Sequence, residues 1–219
     1  MKKIHQFIIA MIVLAFSSTS YAEIKYGVSG ALTFIEADGT ETEGGEKNSG
    51  DAENIVVIPS LFAEYAYSDT ISLGIDYIPL KADVSDKTKK RTDTETSVTG
   101  TTTTTSTSRT QSAQAELKNH ITLYANYNLD NGLYLKGGVA HVTLNADESL
   151  GTGSKYGEDD ILGYLIGFGV ESGNWRTEVA YTDYEDISLT STVARTGVTT
   201  NNKIEADLDT LALRVSYAF

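Results

Sequence analysis

The chain ends on a strict two-residue rhythm: Leu211, Leu213, Val215, Tyr217 and Phe219 alternate with Ala212, Arg214, Ser216 and Ala218. A period of two marks a strand with one apolar and one polar face. Seven upstream segments repeat it. Ile24 to Ile35 sets Tyr26, Val28, Leu32 and Phe34 against Lys25, Gly27, Ser29 and Thr33. Ile55 to Tyr67 sets Val57, Leu61, Tyr65 and Tyr67 against Ser60, Glu64 and Ala66. Ile71 to Leu80 opposes Ile71, Leu73, Ile75 and Tyr77 to Ser72, Gly74 and Asp76. Leu117 to Leu129 opposes Ile121, Leu123, Ala125 and Tyr127 to Lys118, His120, Thr122 and Asn126. Leu133 to Leu144 places Leu133, Leu135 and Val139 against Tyr134, Lys136 and Gly138. Ile161 to Glu171 carries three glycines, Gly163, Gly167 and Gly169, on the face away from Leu162, Tyr164, Ile166, Phe168 and Val170. Trp175 to Tyr184 sets Trp175, Val179 and Tyr181 against Arg176, Glu178 and Thr182.

The connections alternate in length. Ser68-Asp69-Thr70, Asp130-Asn131-Gly132 and Ser172-Gly173-Asn174 have the composition of tight turns. Between them lie polar stretches at roughly 36–54, 82–116, 145–160 and 185–205. Eight strands with three short turns and four long connections put both ends of the barrel domain on the short-turn side. The expected architecture is all-β: an eight-stranded antiparallel up-and-down transmembrane barrel with short periplasmic turns and four long extracellular loops. About ten residues per strand is what a tilted strand needs to cross a bilayer.

The amino terminus fits export. Met1-Lys2-Lys3 precedes an apolar run from Phe7 to Phe16, and Ser20-Tyr21-Ala22 reads as a cleavage site. Residues 1–22 are expected to be a cleaved signal peptide, leaving residues 23–219 as the barrel domain. Removing Lys2 and Lys3 from the 17 basic residues leaves 15 against 30 acidic ones, a net charge of −15. So acidic a chain is a poor partner for nucleic acid, whose phosphates need clustered Lys and Arg. Without a single cysteine, neither disulfide staples nor thiol chemistry is available.

Tyr65, Tyr67, Tyr127, Trp175, Tyr217 and Phe219 all fall on the apolar face, next to a short turn or the final residue. Side by side in a barrel they form a periplasmic aromatic girdle. The polar face becomes the interior, and there Glu64, Asp76, Lys136, Arg176, Glu178 and Arg214 lie a few residues from the periplasmic ends of their strands. Charges at one depth in a narrow barrel must pair. Glu178 and Arg214, on neighbouring strands, are the expected pair, with Lys136 joining Glu64 or Asp76 across the lumen. The glycines of the sixth segment leave room for neighbours such as Tyr134 and Arg214.

As a whole the pattern resembles the small eight-stranded outer-membrane barrels: the OmpA transmembrane domain, OmpX and the opacity-type adhesins. Thr122-Leu123-Tyr124-Ala125-Asn126-Tyr127, Tyr134-Leu135-Lys136-Gly137-Gly138-Val139 and Arg176-Thr177-Glu178-Val179-Ala180-Tyr181 read like strands of that group. The terminal aromatic resembles the residue by which the outer-membrane insertion machinery recognises such chains. Nothing follows Phe219 here, so the peptidoglycan-binding role of full-length OmpA-like proteins is not carried over. The resemblance implies residence in the outer membrane, contact with lipid and lipopolysaccharide, and a monomer.

The long connections are where a specific task is expected. The first is acidic, with Glu36, Asp38, Glu41, Glu43, Glu46, Asp51 and Glu53 against Lys47 alone, but its spacing matches no calcium loop. The second has Lys87, Lys89, Lys90 and Arg91, suited to lipid phosphates, then a low-complexity tract from Thr101 to Ser108 that reads as mobile. His141-Val142-Thr143 departs from the His-x-Ser of a lipid A deacylase barrel by a threonine in place of the nucleophile, and His120 reads as a hydrogen-bonding lumen residue. No enzyme, metal or cofactor is expected. The expected role is structural or surface-interacting, with an extracellular partner or phage on the loops and a charge-plugged lumen. The alternative is a small-solute porin or an OmpW-like channel for small hydrophobic molecules.

Overall fold

The computed structural model describes residues 24–43, 46–86, 88–99, 103–149, 155–192 and 201–219; the expected signal peptide lies outside them. The strands are β1 (Ile24–Glu43), β2 (Glu46–Ala66), β3 (Ile71–Ile78), β4 (Ala82–Asp83), β5 (Lys89–Thr99) and β6 (Thr103–Asn128). After them come β7 (Leu133–Ser149), β8 (Glu158–Ser172), β9 (Trp175–Tyr184), β10 (Ile187–Thr190) and β11 (Lys203–Ala218). Eight of them form staves in the order β1, β2, β3, β6, β7, β8, β9, β11, each antiparallel to the next. The ring closes between β1 and β11, from Gly27 opposite Ala218 to Thr42 opposite Lys203. Closure joins the last stave to the first, so the sheet has no end strand exposed to lipid. The Phe219 amide donates to the Tyr26 carbonyl at 2.8 Å, which ties the terminal residue into the closing seam.

The three short turns are as tight as their composition predicts. Asn131, Gly132 and Gly173 all take positive φ, the conformation that Asn and Gly supply at least strain. Lipid-facing positions are exposed along every stave, among them Val28 and Leu32 on β1, Leu135 and Val139 on β7, and Leu213 and Val215 on β11.

The connections at the other end differ from the expected long loops. The staves continue past the apolar band: β1 and β2 stay paired out to Glu43 opposite Glu46, and β11 pairs out to Lys203. The period of two persists there with different residues. Ala37, Ala52 and Ala206 turn inward, while Glu36, Asp38, Asp51, Glu53, Glu205 and Asp207 are exposed. An alanine–acid alternation reads as a solvated loop, yet it is still a strand with one drier face. The threonine tract is likewise paired rather than mobile from Thr103 onward, with Thr104 opposite Val98 and Ser108 opposite Thr94; threonine's branched Cβ favours an extended chain. Lys89, Lys90 and Arg91 of the basic cluster run in β5, and Lys87 falls outside the described residues.

One residue shifts the phase of a stave. The β6–β7 register slips between Lys118 and Ile121, and Asn119 has φ of 55°. This bulge places Leu117 inward against Leu144 and turns Lys118 out to an ion pair with Glu158. Lys118 is therefore not a lumen residue, because one extra residue reverses the alternation.

Candidate functional site

The lumen has two unlike halves. Towards the short turns it is charged. Glu64 on β2, Asp76 on β3, Lys136 on β7, Arg176 and Glu178 on β9, and Arg214 on β11 all point into it and are nearly inaccessible to solvent. Arg176 grips Glu64 with both guanidinium nitrogens, Nη1 to Oε2 at 2.6 Å and Nη2 to Oε1 at 2.9 Å. It also bonds Glu171 at 2.6 Å, and Lys25 joins Glu171 at 2.8 Å. Arg214 Nη1 donates to Asp76 Oδ2 at 2.6 Å. Lys136 pairs with Glu178.

Two of these pairings differ from the expectation. Glu178 and Arg214 do stand opposite one another in register, but each bonds elsewhere. Lys136 takes Glu178, not Glu64 or Asp76. The reason lies in the inward glycines. Tyr134, Gly169 and Glu178 form one row across β7, β8 and β9. A Cβ on Gly169 would stand 2.5 Å from the Tyr134 ring, so Tyr134 crosses the bare glycine and donates to Glu178 at 2.9 Å. Lys136, whose register partner on the same stave is Gly167, also reaches Glu178 and sets its ammonium 4.2 Å from the centre of the Tyr124 ring. Tyr134 and Lys136 both take Glu178 Oε2, leaving its Oε1 without a hydrogen-bond partner among the described residues, and Arg214 spans the lumen to Asp76. A second row repeats the device: Tyr124 passes over Gly74, where a Cβ would meet its ring at 2.2 Å, and donates to Glu64 at 3.3 Å. The β8 glycines thus accommodate Tyr134 and, at Gly163, Tyr184; Arg214 is not among the atoms that meet them. The tyrosines, Asn126 (2.9 Å from Glu64), Lys25 and Glu171 complete a network that charge alone did not pick out in the sequence. Inward parity of Tyr124 and Tyr134 was the available signal.

Towards the outer end the lumen turns apolar. Ile35, Val142, Leu144, Ile161, Ile187, Leu189 and Leu208 are buried together, with Val56, Ile58, Ile204 and the inward alanines packed on them. Inside this cluster is a cavity of about 210 Å³, walled by Ala37, Ala52, Leu144, Ala146, Leu189 and Leu208 among others. Tyr156 lies over it: its hydroxyl donates to Glu41 at 2.6 Å and its amide to Glu148 at 2.9 Å. A smaller cavity of about 60 Å³ lies between chamber and plug, lined by Ile58, Ile78, Leu80, His120 and Arg214 among others. His120 meets the Tyr184 hydroxyl at 3.1 Å there. At the opposite end, a vestibule of about 390 Å³ is lined by Arg176 and Glu64.

The wall beside the smaller cavity is incomplete. Ladder pairing of β2 with β3 stops at Leu61 opposite Tyr77. Pro79, Leu80 and Lys81 leave the sheet before β4, and above them the two sides meet through Asn54 to the Asp83 carbonyl at 2.7 Å and Asp86 N–H to the Glu53 carbonyl at 3.4 Å. Both prolines of the chain, Pro59 and Pro79, flank this seam. Proline brings no N–H, so it suits a strand edge without a partner. Irregular backbone at membrane depth is tolerated where it lines a cavity, and Ile58, Ile78, Leu80 and Ala82 line one.

Outside, the aromatic residues border the apolar band. Trp175 and Tyr217 have ring centroids 5.0 Å apart, Tyr217 and Phe219 5.4 Å, and Tyr26, absent from the expected set, continues the run at 5.9 Å from Phe219. Tyr67 and Tyr127 are exposed at the same end and Tyr65 is half-buried. The aromatics are not confined to that end: Phe34, Tyr77, Tyr164 and Tyr181 are exposed toward the outer margin. Belts at both interfaces are the membrane pattern. Near that margin Asp160 accepts from Thr143 at 2.7 Å and lies 4.0 Å from His141. The carboxylate, not the imidazole, adjoins the hydroxyl, so His141 is not placed to take its proton.

A closed antiparallel ring with an exposed apolar band and short turns at one end is the fold of a bacterial outer-membrane β-barrel, and the outer membrane is where it resides. One solved structure shares this fold and others are similar at lower scores. The chain is similar to the outer membrane protein AlkL, with a TM-score of 0.51 and 15% identity over 93% of each chain. It is similar to the outer membrane protein OprG from Pseudomonas aeruginosa, with a TM-score of 0.48 and 12% identity over 89% of this chain and 97% of that one. The outer membrane protease OmpT from Escherichia coli matches with a TM-score of 0.46 and 12% identity, over 92% and 99%. No protein-family model and no curated protein matches the sequence.

Proposed function

We propose that this barrel takes small apolar molecules from the cell surface into its outer chamber and passes them sideways into the bilayer. This is the hydrophobic-channel alternative of the sequence reading, not its structural one. One observation carries it: a single lumen divided into an apolar chamber above and a neutral set of three acids and three bases below. Moving a methylene from water into such a chamber gains about 0.8 kcal/mol, which drives entry without any energy source. Below, an ion or sugar would have to displace paired buried charges, so passage straight through is disfavoured. The seam flanked by Pro59 and Pro79 supplies the lateral exit. On this reading the protein is no enzyme, carries no cofactor, and works as a monomer in lipid and lipopolysaccharide after delivery by the insertion machinery. The residues Glu64, Asp76, Lys136, Arg176, Glu178 and Arg214 act as its floor, and the aromatics from Tyr65 to Phe219 act as its periplasmic anchor.

A surface-interaction role remains as a second reading, favoured by the exposed acidic faces of the outer strands; an extracellular protein or phage would bind there. Two measurements separate the readings. Cells carrying the barrel are expected to take up radiolabelled n-hexane several-fold faster than cells lacking it, while the folded protein in planar bilayers gives no steady ion-conductance steps. Reproducible steps, or an unchanged uptake rate, would sink the proposal.

A further inference from the structure

Among the described residues lining the 210 Å³ chamber, Glu148 is the one acidic side chain. Its Oε1 accepts the Tyr156 amide at 2.9 Å, and its Oε2 is buried without a hydrogen-bond partner among the described residues. A buried carboxylate oxygen with no donor is costly, and the amide group of Gln114 in the same lining is turned away from it, donating to the Ser85 carbonyl at 3.4 Å. We propose that the chamber is a binding site for small alkyl amines, whose hydrocarbon tail fills the apolar cavity and whose ammonium group donates to Glu148. This deepens the apolar-channel reading and rests on it.

The wall around the chamber favours a cation independently of Glu148. Ala37, Ala52 and Ala206 line the inside, and the residues next to them in sequence turn acids outward. Asp38 stands opposite both Asp51 and Asp207; Glu205 is paired with Lys203 at 2.6 Å, and Lys47 lies on the same outer surface with Asp186, so acids remain in excess there. These charges lie on the outer face of the strands that wall the chamber, where salt screens them in part. Their summed potential draws cations toward the mouth and repels carboxylates. Burial also pushes the Glu148 carboxyl above its usual range, partly offset by the Tyr156 amide and Lys155 and reinforced by Asp147. Ionised Glu148 is the form that holds an ammonium group, so affinity is highest near neutral pH and falls as acid protonates the carboxylate.

The test is calorimetric titration of the chain in lipid nanodiscs with n-hexylamine, n-hexanol and hexanoate, with empty nanodiscs subtracted. Hexylamine is expected to bind about tenfold tighter than hexanol, the scale of one charge-assisted hydrogen bond, and hexanoate more weakly than either. Glu148→Gln keeps a carbonyl oxygen for the Tyr156 amide; it should erase the amine's advantage and leave hexanol binding unchanged. An amine that binds no tighter than hexanol, or an advantage that survives Glu148→Gln, overturns the inference. If none of the three probes binds, the apolar-chamber reading itself has failed. Ala52→Phe, which narrows the cavity, should weaken all three together; full retention in that variant would move the site elsewhere and overturn the proposal as well.

Discussion

Replacing Arg176 with alanine is expected to remove about 3–5 kcal/mol of folding stability, read as a lower urea midpoint for refolding in lipid. Arg176 is the centre of the charged floor: it bonds Glu64 through two nitrogens and Glu171 as well. Glu64 is 5% exposed and borders water only through the vestibule, so losing the guanidinium leaves its charge largely uncompensated. Tyr124 and Asn126 still donate to it, but hydrogen bonds do not neutralise a carboxylate. Adding Glu64→Gln to Arg176→Ala should recover a large part of the loss, because the penalty comes from the stranded ion more than from the missing pair. Equal midpoints for wild type and Arg176→Ala would mean that the floor is hydrated and open, against the closed lumen argued above.

The second large effect is on transport. Ala52→Phe is expected to reduce n-hexane uptake to the level of cells without the barrel while changing folding stability by no more than about 1 kcal/mol. Ala52 is half-buried on β2 and its side chain borders the chamber. A phenyl ring placed there occupies space now empty, so it blocks the path without displacing a packed neighbour. The residue lies well above the charged floor, and the two variants therefore probe separate halves of the lumen. Unchanged uptake in a folded Ala52→Phe barrel would detach the chamber from any transport role.

The contrast between these halves explains what the sequence disclosed. The eight staves, their order and the short turns were legible, because within the membrane each strand alternates large apolar residues with small or polar ones. Outside it the same alternation runs on alanine and acid. At Asp51, Ala52 and Glu53 the polar positions dominate the composition, and a paired strand resembled a loop. That misreading hid the chamber, since Ile187, Leu189, Ile204 and Leu208 lie on or beside segments taken for solvated connections. The bulge at Asn119 escaped because one inserted residue leaves no compositional mark. The partners of Glu178 and Arg214 escaped for another reason. Strand adjacency is encoded locally, whereas which side chain crosses a bare glycine depends on neighbours far apart in sequence. Tyr134 reaching Glu178 over Gly169 joins residues of three staves. The two prolines were visible from the start, and only their position on facing edges gave them meaning.

The central claim is that the outer half of the lumen holds apolar molecules above a closed floor. It is tested most directly by crystallising the barrel with a brominated alkane, such as 1-bromohexane, and locating the bromine by its anomalous scattering. A peak is expected inside the cavity bordered by Ala52, Leu144 and Leu208, and none among Glu64, Asp76 and Glu178. Bromine found solely on the lipid-facing surface, or lodged within the charged floor, would contradict it.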